Sequence, residues 1–159
     1  MDRLYFTSTK YKLIELILKS RETRLALGSA GNEFHEDLFC EKPKWQCVVA
    51  TTASDPDTVI GYSVYYPFHS AWKGMSLYMD DLYVDAKHRG KGVGKLLWQK
   101  VTQMGLDMGC KGLRLTVKEW NKTARDMYFH HGCVDLTDSC DEHIMHLSKE
   151  GMEKFVQDV

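Results

Sequence analysis

The segment most able to do chemistry is Asp85-Ala86-Lys87-His88-Arg89-Gly90-Lys91-Gly92-Val93-Gly94-Lys95, set where a strand-like stretch ending Tyr83-Val84 gives way to a helix-like one. Glycines let a backbone come close to a bulky anion, and the unpaired amides of a helix start point toward it. Two familiar nucleotide loops are excluded. A Walker A loop needs a glycine five residues before Gly94, where Arg89 stands, and a hydroxyl after its lysine, where Lys95 is followed by Leu96. A dinucleotide fingerprint would carry a glycine three residues after Gly92, where Lys95 stands. What remains is R-x-x-G-x-G, made by Arg89, Gly92 and Gly94. On its own it fits a pyrophosphate cradle and a ligand-free connection about equally well.

Two further groups could move protons. Asp80 and Asp81 close an apolar strand run, and alternation along a strand sends them to opposite faces, so that one enters a cleft. A pair that merely keeps a strand edge soluble has the same appearance. Tyr128 lies one turn beyond Ala124 on a helical pattern, where a phenol can serve as an acid or simply pack its ring. Other residues are weaker. His143 and His146 fall on opposite sides of an expected strand and make a poor metal pair, and no metal site is expected. His130 and His131 suit a helix C-terminus. Cys110 and Cys133 read as small buried fillers, Trp120 as an anchor for a helix entry, and Tyr62, Tyr65, Tyr66 and Phe68 chiefly as core.

The elements that must position these groups follow from periodicity. Leu13, Ile14, Leu16, Ile17 and Leu18 predict a helix over 11–22, and 33–39 is weakly helical. Stretches 45–52, 59–68 and 75–84, rich in β-branched and aromatic residues and separated by turn clusters, predict three consecutive antiparallel strands. Leu97, Val101, Met104 and Met108 recur at helical spacing before Gly109, predicting a long helix over about 92–108. A strand at 113–117, a helix capped by Asn121 and stopped by Gly132, and a last strand near 143–147 complete the order. The class is α+β, with a mixed, mostly antiparallel sheet flanked by helices on both faces.

The chain of 159 residues suits one domain, 1–159. Its 21 basic and 22 acidic residues give a net charge of -1, so no overall basic field draws nucleic acid or an anionic membrane, and a local site must select the partner. Five cysteines at wide spacing, without a C-x-x-C pair, read as free thiols of a reducing compartment. Lys10, Lys12, Glu15 and Lys19 interrupt the apolar start, which reads as a helix and not a signal peptide, and no apolar run reaches the roughly 18 residues of a spanning helix. A cytoplasmic protein is expected.

In order, LYMDDLYV (77–84), RGKGVG (89–94), EWN (119–121) and Tyr128 followed by Gly132 and Asp135-Leu136 resemble the GNAT superfamily of acetyl-CoA-dependent N-acetyltransferases. The likeness is closest to the spermidine/spermine (diamine) and thialysine acetyltransferases, and it runs from about Trp45 to Leu136. It implies that backbone groups of Leu82, Tyr83 and Val84 hold the pantetheine arm of coenzyme A. Arg89, Gly90, Lys91, Gly92, Val93, Gly94 and Lys95 would wrap its pyrophosphate. Asn121, Lys122, Thr123 and Ala124 would meet it from the following helix, and Arg114, Leu115 and Thr116 would border the amine, with Asp81 and Glu22 as acidic contacts. By the same resemblance Asp80 matches a glutamate that relays the amine's proton through water, and Tyr128 matches the acid. Asp80 is one methylene shorter than that glutamate, which suits a bridging water. A homodimer is also implied.

The chemistry asks for such groups. A primary amine with a pKa near 10.4 is neutral in only about one molecule in 2,500 at pH 7, which costs roughly 4.6 kcal/mol to present as the free base. Attack on a thioester expels a thiolate whose conjugate acid has a pKa of about 8.5, within reach of a phenol's proton. A splayed strand at Leu82 could offer free amides, provided a bulge opens the sheet there. The chain departs from the family at its start, where only Leu4-Tyr5-Phe6 precedes the first helix, and at Ser139-Cys140-Asp141-Glu142-His143, where an acidic pair and Gly-Trp are expected. The resemblance thus implies direct transfer from acetyl-CoA to a small primary amine, a diamine or polyamine first and a thialysine-like amino acid second. Acetylation of protein lysines or amino termini, and a CoA-binding regulatory protein without turnover, are the rival readings.

Overall fold

A computed structural model describes residues 4–7, 41, 43–71, 73–139 and 151–152. The helix expected over 11–22, the segment 33–39, Glu22 and the strand near 143–147 lie outside them. The chain divides into two units, residues 1–116 and 117–159.

Among its described residues the first unit is a five-stranded sheet in the order β1 (Leu4–Thr7), β2 (Gln46–Thr52), β3 (Val59–Ser70), β4 (Gly74–Val84), β5 (Leu113–Leu115), with one long helix, α1 (Val93–Asp107). The first three pairings are antiparallel and the last, β4 with β5, is parallel. The mixed, mostly antiparallel sheet is the one expected. The short Leu4-Tyr5-Phe6 segment is a true edge strand, with Leu4 opposite Thr52 and Phe6 opposite Ala50.

Residues 47 to 51 of β2 and 59 to 65 of β3 are all buried, so both faces of the sheet centre are covered. On one face α1 lays down Val93, Leu97, Trp98 and Val101, and each aliphatic side chain so buried stabilises the fold by about 1.5–3 kcal/mol. A β-carbon at Gly105 would lie 3.3 Å from Leu77 Cδ2, so glycine there sets how closely α1 approaches β4. Tyr65 carries its hydroxyl to Met104 Sδ at 3.1 Å on this side. The opposite face gathers Cys47, Val49, Val59, Tyr62 and Val64, with Trp45 and Tyr83 packed against them. Gly109, at φ 76, ends α1 as its position predicted.

In the second unit Asn121 Oδ1 accepts the Ala124 amide at 3.3 Å and opens α2 (Lys122–His130). Arg125 pairs with Glu119 and reaches Asp135 at 3.6 Å, tying the approach to α2 to its exit. The His131 ring meets the Met127 carbonyl at 2.9 Å, the C-terminal role expected of the His130-His131 pair. A short α3 (Leu136–Ser139) follows, begun by Asp135 Oδ1 accepting the Thr137 amide at 3.0 Å. Periodicity missed it because one turn is too short to show a period. Trp120 is 75% exposed, against the expectation that it anchors the entry to α2. No helix among the described residues is long and apolar enough to cross a membrane.

Candidate active site

The site is built on an irregularity of β4. Val64 of β3 faces Asp81, yet its neighbour Tyr65 faces Met79, so Asp80 is an extra residue bulged out of the ladder. The ladder is interrupted between the two carboxylates for which strand alternation was expected. Asp81 shares its face with Tyr62, whose hydroxyl donates to Asp81 Oδ2 at 2.6 Å. The Asp81 charge acts on Asp80, and the Asp80 charge in turn on Tyr66. A bulge re-aims a side chain, and here it falls at one of two adjacent carboxylates. It falls at Asp80, two residues before the Leu82 position from which a splay was expected.

The two carboxylates have different surroundings. Asp81 is half-buried; burial lifts its carboxyl above the ordinary range, while the Tyr62 hydroxyl and the Leu82 amide pull it back. Asp80 reaches solvent, but crowding by the chain, and then the neighbouring Asp81 charge, raise it as well. Cys47, across β3 from Asp81, is buried, and its thiol is pushed up to about 12 by that burial and by the Asp81 charge, which leaves it unreactive as a nucleophile. Cys110 and Cys133 are only half-buried, so among the described residues the buried thiol is Cys47 and not the two that sequence reading chose.

Beyond the bulge the sheet opens. β5 stops at Leu115, the partner of Met79, so from Asp80 to Val84 the only sheet neighbour of β4 among the described residues is β3. Leu82 and Val84 turn their side chains toward the start of α1, within 3.6 Å of where a β-carbon on Gly94 would stand. Arg114 and Leu115 lie opposite Tyr78 and Met79, and the Tyr78 hydroxyl donates to Thr116 Oγ1 at 3.5 Å.

The glycine loop follows at the end of β4. Asp85 accepts the Lys87 amide at 2.9 Å and opens a single 3-10 turn at Ala86–His88; that amide, chiefly, and then His88 hold its carboxyl below the usual range. Arg89 turns back to the strand, its Nε donating to the Val84 carbonyl at 2.9 Å and its guanidinium 5.7 Å from the Tyr83 ring. It fixes the shape of the loop. Lys91 Nζ donates to the Lys87 carbonyl at 3.1 Å, and Val93 is buried, so Val93 can offer a ligand only its backbone. Gly90 and Gly92 adopt φ 73 and 81, and a β-carbon on either would meet nothing within 4 Å. The amides of residues 90 to 95 donate to no acceptor among the described residues. Left-handed turns at 90 and 92, running into a helix start without a side-chain cap, form an open concave row of donors. The chemistry of that row fits a diphosphate.

In the second unit, α2 carries Asn121, Lys122, Thr123 and Ala124 at its start and Tyr128 two turns on. Tyr128 is 7% exposed, and its carbonyl accepts the amides of His131 and Cys133 at 3.2 and 3.0 Å, which fixes the end of the helix.

Sequence reading missed the aromatic floor beside the acid pair. Tyr66 stacks on Tyr78 at 5.3 Å, Trp45 sets its edge to Tyr66 at 4.7 Å, and Phe68 sets its edge to Tyr78 at 6.4 Å. Tyr62 and Tyr65 are core as expected, but Tyr66 and Phe68 are only half-buried. The alternation of Tyr62, Val64, Tyr66 and Phe68 was the available signal, since residues two apart share a face.

The sequence profile of the acetyltransferase (GNAT) family matches residues 13–133. A thialysine N-epsilon-acetyltransferase of Bos taurus is 40% identical over 123 residues, which cover 74% of this chain and 72% of that one. A human spermidine/spermine N(1)-acetyltransferase-like protein 1 is 25% identical over 118 residues, covering 72% of this chain and 17% of that longer protein. Among solved structures, an integron cassette protein from the mobile metagenome of V. cholerae superposes with a TM-score of 0.77 at 21% identity, covering 97% of this chain and 98% of the other. An aminoglycoside N-acetyltransferase in complex with CoA does so at 0.66 and 15% identity, covering 94% and 96%. Both likenesses are of fold.

Proposed function

Since the chain belongs to the acetyltransferase (GNAT) family, we propose that it moves an acetyl group from acetyl-CoA directly to a primary amine of a small acceptor. Thialysine-like amino acids and di- or polyamines are the candidate acceptors. The observation that carries the reading is the form of β4: a bulge at Asp80, next to Asp81, an edge without a β5 neighbour beyond it among the described residues, and the open amide row of residues 90 to 95 at its end.

When bound, acetyl-CoA supplies an activated acyl carbonyl as its thioester. In this reading the amides of Gly90 to Lys95 hold the diphosphate, with Lys91 and Lys95 adding positive charge near it. Backbone groups of Leu82 to Val84 orient the pantetheine arm, and Asn121 to Ala124 contact the cofactor from α2. Asp80, the solvent-reaching carboxylate, takes the ammonium proton of the acceptor through a bridging water. Asp81, held by Tyr62, keeps negative charge beside the incoming cation. The Tyr128 hydroxyl holds the proton that the departing thiolate takes. Transfer is direct, in keeping with the unreactive Cys47 thiol.

Single-turnover assays with acetyl-CoA and, in turn, thialysine, putrescine, spermidine and a lysine peptide test the reading. Transfer to at least one small amine at a rate above that of the peptide is expected. CoA binding without transfer to any acceptor would mark a regulatory protein, and a preference for the peptide would mark a protein acetyltransferase.

A further inference from the structure

One face of the sheet passes from closed to open beside Asp81. Val64 faces Asp81 and Tyr66 faces Tyr78, and cross-strand partners share a face, so Asp81 and Tyr66 are diagonal neighbours on it. Tyr62 and Val64 are buried there, whereas Tyr66 and Tyr78 are half-buried. The Tyr66 and Tyr78 rings stack at 5.3 Å with their planes 30° apart, and Trp45 braces Tyr66 edge-on at 4.7 Å. These contacts hold the two rings in place although neither is fully buried. Phe68, further along the same strand, already carries the Arg114 guanidinium 5.9 Å from its centre. The open aromatic surface next to the carboxylates is therefore that of Tyr66 and Tyr78. Burial, and then the Asp80 charge, raise the Tyr66 hydroxyl above its ordinary value, in keeping with that closeness.

We propose that Tyr66 and Tyr78 form a ring-binding subsite and that the acceptors include arylalkylamines, in which a short spacer joins a primary amine to an aromatic ring. The inference rests on the acetyltransferase reading of the same site and adds a substrate class to it. The carboxylates match the ammonium, and the tyrosine pair matches the ring. Diagonal neighbours on one face have α-carbons about 7–8 Å apart, so a short spacer lets the ammonium stand at the carboxylates while the ring lies on Tyr66. A ring so placed gains offset-stacked or edge-to-face contact that a saturated group of the same size does not. The reaction is unchanged: the nitrogen forms the amide bond as the thioester C–S bond breaks, the ammonium proton leaves through Asp80, and the thiolate departs as the thiol.

The test compares kcat/KM, expressed per neutral amine, for 2-phenylethylamine and its saturated counterpart 2-cyclohexylethylamine, with thialysine as a control acceptor, in the wild type, Tyr66→Leu and Tyr66→Phe. The saturated ring is at least as apolar, so plain burial gives a ratio of one or below. The wild type should favour the phenyl amine about 2- to 10-fold, mostly through KM, as expected for one aromatic contact. Tyr66→Phe should keep that ratio and Tyr66→Leu should bring it to one or below, a pattern that a tyrosine serving only to pack would not produce. A wild-type ratio of one or below, a ratio that Tyr66→Leu leaves intact, or transfer to thialysine alone overturns the inference while upholding the acetyltransferase reading. Failure to acetylate any of the three amines overturns that reading, and this inference with it.

Discussion

The Tyr62 hydroxyl donates to Asp81 Oδ2 at 2.6 Å, and this bond gives two adjacent carboxylates different surroundings. Tyr62 is fully buried, so its hydroxyl has little solvent as an alternative to Asp81, which lies diagonally across from it, opposite Val64. With Asp81 held in place, Asp80 on the bulge is the carboxylate that reaches solvent. A protein that must keep negative charge beside an ammonium and also accept its proton needs one group for each task.

Replacing Tyr62 by Phe should destabilise the fold by about 1.5–3 kcal/mol near neutral pH, the range for a hydrogen bond to a charged group. Burial already raises the Asp81 carboxyl, and the Tyr62 bond opposes that rise. A carboxyl raised in the folded state favours folding most fully when protonated, below its unfolded value of about 3.9, and that contribution fades as pH climbs through the folded value. Loss of Tyr62 raises the folded value further, so the variant should lose more stability at neutral pH than in acid. Urea unfolding at both conditions measures this, and an equal loss at the two would show that the bond does not act through the ionised carboxylate.

Asp80→Asn should lower kcat/KM about 10²-fold near neutral pH and shift the rise of activity to higher pH, because the free amine must then come from solution equilibrium. Burial and the Asp81 charge raise the Asp80 carboxyl, so in the wild type the relay is ionised only above the usual carboxylate value. The acid limb of the wild-type kcat/KM profile should accordingly lie above that value, and Asp80→Glu should keep it. A limb that Asp80→Asn leaves in place belongs to another group.

Tyr128→Phe should reduce kcat by about 10²-fold or more with CoA affinity nearly unchanged, since the lost hydroxyl matters only when the thiolate departs. Calorimetric CoA binding alongside pre-steady-state rates separates the two effects. An unaltered rate would remove Tyr128 from the acid role and leave it as a packing residue, in keeping with its 7% exposure.

Much of this arrangement was legible beforehand, for physical reasons that differ by element. The strands at 46–52, 59–70 and 74–84 and the helix at 93–107 follow from side-chain alternation and helical spacing, which burial on a sheet or a stripe enforces. Asn121 and Gly109 were readable because caps and stops depend on the chemistry of one residue. The amide row at 90 to 95 was legible through its glycines. The bulge was not, since nothing in Met79-Asp80-Asp81-Leu82 marks where a ladder gains a residue; that is decided by register against β3. This slip falls between the two carboxylates for which plain alternation was expected. The aromatic floor was hidden for a related reason: Tyr66 and Phe68 look like core until the ends of β3 are known to be half-exposed.

Two glycines that look alike in sequence should respond differently to a single methyl group. At Gly61 a β-carbon would lie 2.8 Å from the Tyr83 carbonyl oxygen and 3.2 Å from Leu97 Cδ1, so Gly61→Ala must push β4 or α1 aside, and a loss of about 1–3 kcal/mol is expected, as for overpacked cores. At Gly92 the added carbon meets nothing within 4 Å, but φ is 81, a conformation that costs an alanine about 1–2 kcal/mol. The Gly92 variant can relieve that strain by rotating the loop, which turns the amides of residues 90 to 95 away from a shared focus. Gly92→Ala should therefore weaken CoA binding by about tenfold or more, the equivalent of roughly 1.4 kcal/mol, with a smaller loss of stability than Gly61→Ala. Urea unfolding paired with calorimetric titration of CoA measures both. If CoA bound Gly92→Ala as tightly as the wild type, the glycine loop would be only a connection, and the diphosphate would have to be held by other residues.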